Sequence, residues 1–398
     1  MLKKNRGTIL YFGIIVFSIL FLWVGNRIAV QGLDLPDIQN MGTPYEAQVR
    51  KLNDTKIDSF DLGGNTIETK MIYFDAVVQG GEYKGKTVQA LQTIDGMYAI
   101  RQHEVQPGDK IILYHVSPED VGQDVEWLLG DFLRTDKLTI LGCVFMLLLL
   151  WFGREKGLNT IISLVFTCLA IFVVFIPSIL SGHNIYLSTI IVSIYIVLMT
   201  FLLVHGADRK TFAASIGCIG GIVAAGVLTL MMSGILKLTG ALDQESVFLL
   251  LLNEQRPIDL LAIIFAAIVI GALGAIMDVA MSIASSLEEI CQQVERPTFR
   301  AILNSGLNIG RDVISTMTNT LILAYIGGSL SVVLLLIAYN GNLLSLLNRE
   351  MISVEILQAI VGSLGILLTI PVTSVISAYV STKEQKPDPP PPQQFPEL

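Results

Sequence analysis

Residues 271–330 hold the side chains best suited to chemistry in this chain. They read GALGAIMDVAMSIASSLEEI, then a polar connection through Arg296 and Arg300, then NIGRDVISTMTNTLILAYIGGSL. From Asp278, steps of four, seven, eight and eleven reach Ser282, Ser285, Ser286 and Glu289. From Asp312, steps of four, seven and eight reach Thr316, Asn319 and Thr320. On an α-helix these spacings place each set on one face. Such a face suits the binding of a small solute or ion. Asp278 and Asp312 would accept a proton or cation, and Ser282, Ser285, Thr316, Asn319 and Thr320 would be neutral ligands. Arg311 is the candidate ion-pair partner of either acid. The plainer alternative is that both helices run past the membrane into water. Gly271, Gly274, Ala275, Ser282 and Ser285 would then be a close-packing face. Glu288 and Glu289 are assigned to water, as are Arg349 and Glu350.

The elements that carry these faces must cross lipid. Hydrophobic residues make up 52% of the 398 residues and charged residues 15%, with a mean hydropathy of +0.64, which excludes a soluble protein of this length. A polar stripe in such a setting must face protein or water, because lipid offers no hydrogen-bond partner. The formal net charge of −8 gives no reason to expect nucleic acid, and no basic face with interleaved aromatics is present. Cys143, Cys168, Cys218 and Cys291 all fall in or at the end of apolar runs, so no disulfide framework is required.

Taken in order, residues 1–26 read as an uncleaved N-terminal transmembrane anchor: a basic start, an apolar run over 7–24, and no small-x-small cleavage site after it. Residues 27–136 change character. MIYFDAVVQG, KTVQALQTI, YAIRQHEV and KIILYHVS are short, partly alternating runs separated by turn formers, which predicts a small β-rich domain, barrel or OB-like. The stretch 34–66 lacks periodicity and is expected to be partly irregular. His103 and His115 belong to this domain and are expected to be packed or solvated rather than metal ligands.

From 137 to 382 the chain is expected to be a seven-span domain, with spans near 137–152, 158–177, 184–204, 211–236, 257–288, 310–339 and 354–380. With the first helix that makes eight. Arg154, Lys156, Arg209, Lys210, Arg296, Arg300, Arg311, Lys383 and Lys386 fall on the side of the N-terminal lysines, which the positive-inside rule makes cytosolic. Both termini are then inside and residues 27–136 outside. Residues 241–256 and 339–353 read as short interfacial pieces, and 383–398 as a Pro-rich disordered tail. Gly217, Gly220, Gly221 and Gly226 suit close helix approach. There is no Walker A loop, HExxH, GxSxG or Cys/His metal spacing, so neither an enzyme nor a bound cofactor or metal is expected.

MDVAMSIASSLEEI (277–290) and NIGRDVISTMTNTLILAYIGGSL (308–330) carry a resemblance to the YibE/F-like family of bacterial multipass membrane proteins. It extends over roughly 137–381, and the anchor plus outer β-domain fits the longer members. The resemblance implies an integral protein of the bacterial cell membrane, often taken to be a transporter. It brings no substrate and no catalytic residue, so the site rests on the helical-face argument. The leading expectation is a secondary transporter or permease. One rival is the membrane subunit of a larger complex, docking a cytosolic partner through 289–311. Another is an envelope scaffold binding partners through the outer domain. Beyond the lipid bilayer, the expected partners are a second copy or a related membrane protein.

Overall fold

The computed structural model describes residues 2–33, 43–62, 65–94, 103–116, 125–251, 257–294, 297–339 and 342–382. The chain forms two units, residues 37–148 and residues 1–36 with 149–398. The N-terminal helix α1 spans Leu2–Ala29.

The smaller unit is a closed five-stranded barrel, β1 (Pro44–Leu62), β2 (Asn65–Val78), β3 (Thr87–Ile94), β4 (Lys110–His115) and β5 (Trp127–Phe132), in the order β1-β2-β3-β5-β4. Five is the strand number of OB-type barrels. All neighbours are antiparallel except β3 and β5, which run parallel. The period-2 rule sets the core: Ile72, Phe74, Ala76 and Val78 of β2 point inward and meet Ala90, Ile111, Leu113 and Trp127.

Two parts of this unit differ from expectation. Residues 44–62, expected to be partly irregular, are a strand paired with β2 along its length. Beyond Val49 it leaves the barrel wall, residues 50–59 are exposed on both faces, and register shifts interrupt the pairing at Val49/Lys51 and Leu52/Asp54. A strand with no buried face has no hydrophobic alternation to read. The closing strand β5, WLLGDF, was not anticipated either. Gly130 lies so close to Tyr114 that a Cβ there would come within 2.2 Å of the ring. Of the expected strand YAIRQHEV, residues 98–102 lie outside the described residues. The rest is not strand but is held by Gln92, which is 4% exposed. Its Nε2 donates to His103 O at 2.7 Å, and its Oε1 accepts from Val105 N at 2.9 Å. Gln92→Leu strands both backbone groups, at a cost of about 1–3 kcal/mol for each. Hydrogen exchange at 103–106 and along β3 is expected to accelerate accordingly. His115 packs in an aromatic group, stacked on Tyr83 at 5.5 Å and edge-on to Trp127 at 4.8 Å.

The larger unit is helical: α2 (Thr135–Leu169, whose first turns belong to the barrel unit), a π-helical stretch at Ala170–Phe175, α3 (Ile176–Leu180), α4 (Ile185–His205), α5 (Arg209–Ile235), α6 (Gln244–Leu251), α7 (Leu260–Gln293), α8 (Phe299–Gly328), α9 (Leu330–Tyr339), α10 (Leu343–Leu347) and α11 (Glu350–Thr382). Among the described residues six segments are long and apolar enough to cross a membrane: 9–29, 135–180, 185–205, 209–235, 260–293 and 350–382. The expected spans 137–152 and 158–177 lie within one of them. Inside it Arg154 leaves the helical region (φ 50°, ψ −124°). The chain bends so sharply there that a Cβ at Gly157 would lie 2.2 Å from Leu149 O. The expected span 310–339 differs more. Its helix begins at Phe299, capped by Thr298 Oγ1, which accepts from Ala301 N. It ends at Gly328 and gives way to α9.

The core lies where α5, α7, α8 and α11 pack. Glycine brings α5 against α11: a Cβ at Gly217 or Gly221 would lie 1.9 Å from Thr373 Oγ1 or Thr369 Oγ1, respectively. Two carboxylates expected in water are instead engaged. Glu350 Oε1 accepts from Thr239 N at 2.5 Å and Gly240 N at 2.6 Å, while its Oε2 accepts from Thr239 Oγ1 at 2.8 Å. Glu288 pairs with Lys210 at 3.1 Å. Neither contact is visible in sequence, because each joins segments far apart in the chain.

Candidate functional site

Helix α7 is buried on nearly every side. Met277, Val279, Ala280, Met281, Ile283, Ala284 and Leu287 are all core residues. One strip escapes: Gly271, Gly274, Asp278, Ser282 and Glu289 are exposed and Ser285 is half-buried. The helical spacing read in the sequence therefore corresponds to a real face, small and polar, on the best-packed helix of the bundle. Space lies beside it, since no atom would come within 4 Å of a Cβ at Gly274.

Helix α8 has the same division. Ile302, Gly306, Gly310 and Leu321 are buried, with Gly306 against Ser374 and Gly310 against Ile370 of α11. Arg311, Asp312, Thr316, Asn319 and Thr320 point the other way and are exposed. The two helices run antiparallel. A Cβ at Gly306 would lie 2.9 Å from Leu287, and one at Gly271 would lie 2.8 Å from the Tyr325 hydroxyl. Counting along both helices between these two contacts sets Asp278 level with the Thr316–Thr320 turn.

The two stripes share a depth, but the expected contacts between them are not made. Arg311 does not pair with either acid; its Nη1 donates to Asn308 Oδ1 at 3.0 Å, back along its own helix. Among the described residues neither Asp278 nor Asp312 has an ion-pair partner, and no hydrogen bond joins α7 to α8 across the stripes. The hydroxyls spend their protons within their own turns. Thr316 Oγ1 donates to Val313 O at 3.0 Å, Thr320 Oγ1 to Met317 O at 2.9 Å, and Ser286 Oγ to Ser282 O at 2.9 Å. A hydroxyl has one donor and two acceptor positions. With the Thr316, Thr320 and Ser286 donors used, those hydroxyls offer oxygen lone pairs beside two carboxylates, which suits a cation or proton.

Sequence reading missed the other end of this crevice. The Tyr325 hydroxyl is buried beside the Gln358 amide of α11, and both abut Gly271. Tyr325 lies one turn beyond Leu321, on the buried face of α8 rather than in the polar stripe. The signal available was Gln358, a lone amide in the apolar run of α11. Among the described residues no group of three or more His, Cys, Asp or Glu side chains could hold a metal ion.

Neither a curated protein nor a solved structure matches this chain. The family described as YibE/F-like protein does, over residues 141–383, a stretch that takes in the apolar helices after the one at 9–29 and both polar stripes. With the larger part of its length matched, and with most of its long apolar helices inside the match, this membrane protein belongs to the YibE/F-like family.

Proposed function

We propose that the chain is a secondary transporter or permease for a small solute or ion, with Asp278 as the central acceptor of a proton or cation. The observation that carries this reading is the exposed strip of α7. An ionised carboxylate near the bilayer centre costs about 2.5–3.5 kcal/mol. Asp278 lies about 27 Å along α7 at ~1.5 Å per residue, in the cytosolic third rather than at the centre, so its cost is smaller than that. Among the described residues, however, no basic side chain offsets it. A proton or cation supplies the missing charge, and Ser282, Thr316, Asn319 and Thr320 supply further oxygens. In this reading Asp312 and Ser285 lie toward the cytosolic mouth, and Tyr325 and Gln358 toward the outer one.

The sharp bend at Arg154 supports counting 135–180 as two spans, and α8 with α9 as another, for eight in all. The basic loops then lie with both termini in the cytosol, residues 27–136 outside the cell membrane, and 383–398 as a cytosolic tail. A second copy or a related membrane protein could close the open side of the α7 strip. The docking alternative through 289–311 has less support, because residues 299–311 are the first turns of α8 rather than a separate surface helix.

The test is cysteine accessibility on a Cys-free background. Single cysteines at 278, 282, 312, 316 and 319 are expected to react with a small aqueous reagent from the cytosol, and an imposed ion gradient is expected to change the pattern. Cysteines at 280 and 284, which are buried, are expected to stay inert. Unreactive 282, 316 and 319 under every condition would reduce the stripes to packing faces.

A further inference from the structure

We propose that a second site, separate from the α7 strip, binds a phosphate group at the end of the bundle where α5 begins and α7 and α11 finish. A cavity of about 510 Å³ lies there, lined by Asp208, Arg209 and Lys210 of the α5 entry, by Glu288 and Gln292 of α7, and by Ser377 of α11. Glu288 and Gln292 lie ten and fourteen residues beyond Asp278, about 15 Å or more further along α7.

Ser377 points to a ligand. It is 6% exposed, and its Oγ has no hydrogen-bond partner. The other hydroxyls along α11 set the contrast. Thr369, Thr373, Ser374 and Thr382 each donate to the carbonyl one turn back, at 2.8–2.9 Å. Ser377 forgoes that bond and is one of the residues lining the cavity. A buried hydroxyl without a partner is a cost that a bound acceptor removes.

The helix terminus beside it is also open. Asn184, Asp259 and Thr298 cap their helices through side-chain oxygens, whereas Asp208, at the N-cap of α5, accepts no such bond. The first-turn amides of a 27-residue helix therefore lie at the cavity without a side-chain cap. The cavity thus gathers a guanidinium, an ammonium, backbone amides and a hydroxyl, all donors. Its carboxylates are Glu288, already held by Lys210 at 3.1 Å, and exposed Asp208. Asp208 and the carbonyl ends of α7 and α11 oppose an anion, so recognition depends on the donors converging rather than on net charge. A phosphate has enough acceptor oxygens to engage all of them and would take Lys210 over from Glu288. A lipid headgroup and a soluble phosphate compound share this chemistry.

The test uses the full chain in phosphatidylcholine nanodiscs, titrated with inorganic phosphate against chloride at constant ionic strength, with thermal stability as readout. A parallel arm replaces part of the phosphatidylcholine with phosphatidylglycerol. Saturable stabilisation by inorganic phosphate would assign a soluble ligand. Stabilisation only with phosphatidylglycerol would assign a headgroup. In whichever arm responds, Ser377→Ala is expected to weaken the effect about tenfold while leaving the ligand-free protein as stable as wild type, since its hydroxyl has no partner to lose. Glu288→Gln is expected to tighten binding severalfold by releasing Lys210. No stabilisation in either arm would overturn the site. So would stabilisation that neither variant alters.

Discussion

Asp278→Asn is expected to abolish gradient-driven ion flux in reconstituted vesicles while leaving the amount of protein in the membrane unchanged. Among the described residues Asp278 has no cation partner, so its charge is available to a transported or coupling ion rather than spent on structure. Losing one charge-assisted contact of about 2 kcal/mol lowers occupancy roughly thirtyfold. Asp278→Glu keeps the charge and is expected to retain measurable flux. Thermal stability separates this role from a packing role. Asparagine removes an intramembrane carboxylate and lets the helix sit in lipid at lower cost, so the variant is expected to melt at the same temperature as wild type or higher. Destabilisation with flux intact would make Asp278 a structural residue and would remove the basis of the transport assignment. Asp312→Asn is expected to follow the same pattern with a smaller loss, because it lies nearer the cytosolic end in the topology proposed here.

The α7 strip was legible in the sequence because it is a local property. Helical periodicity alone places Asp278, Ser282 and Ser285 on one face, and burial of the flanking residues agrees with that placement. The same holds for Asp312, Thr316, Asn319 and Thr320, and for the barrel strands that keep one face in the core. What escaped depends on contacts between distant segments or on the lack of a buried face. Arg311 reads as the partner of an acid by charge, yet Asn308 lies one turn back on the same helix and its Oδ1 accepts the guanidinium's hydrogen bond. Glu288 and Glu350 read as solvent-facing acids because Lys210, Thr239 and Gly240 are far from them in sequence. The β1 arm carried no alternation because both its faces are exposed. Tyr325 and Gln358 belong to the crevice only through α11, and no pattern within α8 announces them.

The glycines of α5 yield the sharpest structural result, because two positions that look alike in sequence differ in what surrounds them. Gly217→Ala and Gly221→Ala each put a methyl group 1.9 Å from a threonine Oγ1 of α11. Overpacking of this kind costs about 1–3 kcal/mol. At Gly221 the next atoms are Gly365 O and Ile276 Cγ2, both at 3.1 Å, so deleting the Thr369 hydroxyl leaves contacts that small shifts can absorb. The Thr369 hydroxyl donates only to Gly365 O, within its own helix. The double variant Gly221→Ala/Thr369→Ala is therefore expected to recover most of the lost stability. At Gly217 the new methyl also meets Thr373 Cβ at 2.8 Å and Thr373 Cα at 3.0 Å. Those atoms remain after Thr373→Ala, so Gly217→Ala/Thr373→Ala is expected to stay destabilised, and α5 must move away from α11 to accommodate it. Thermal unfolding of these four variants and of the single variants Thr369→Ala and Thr373→Ala in detergent gives both coupling energies. Equal rescue at the two sites would mean that α5 and α11 approach less closely than 1.9 Å implies, and that their seam is held by side chains rather than by glycine against backbone.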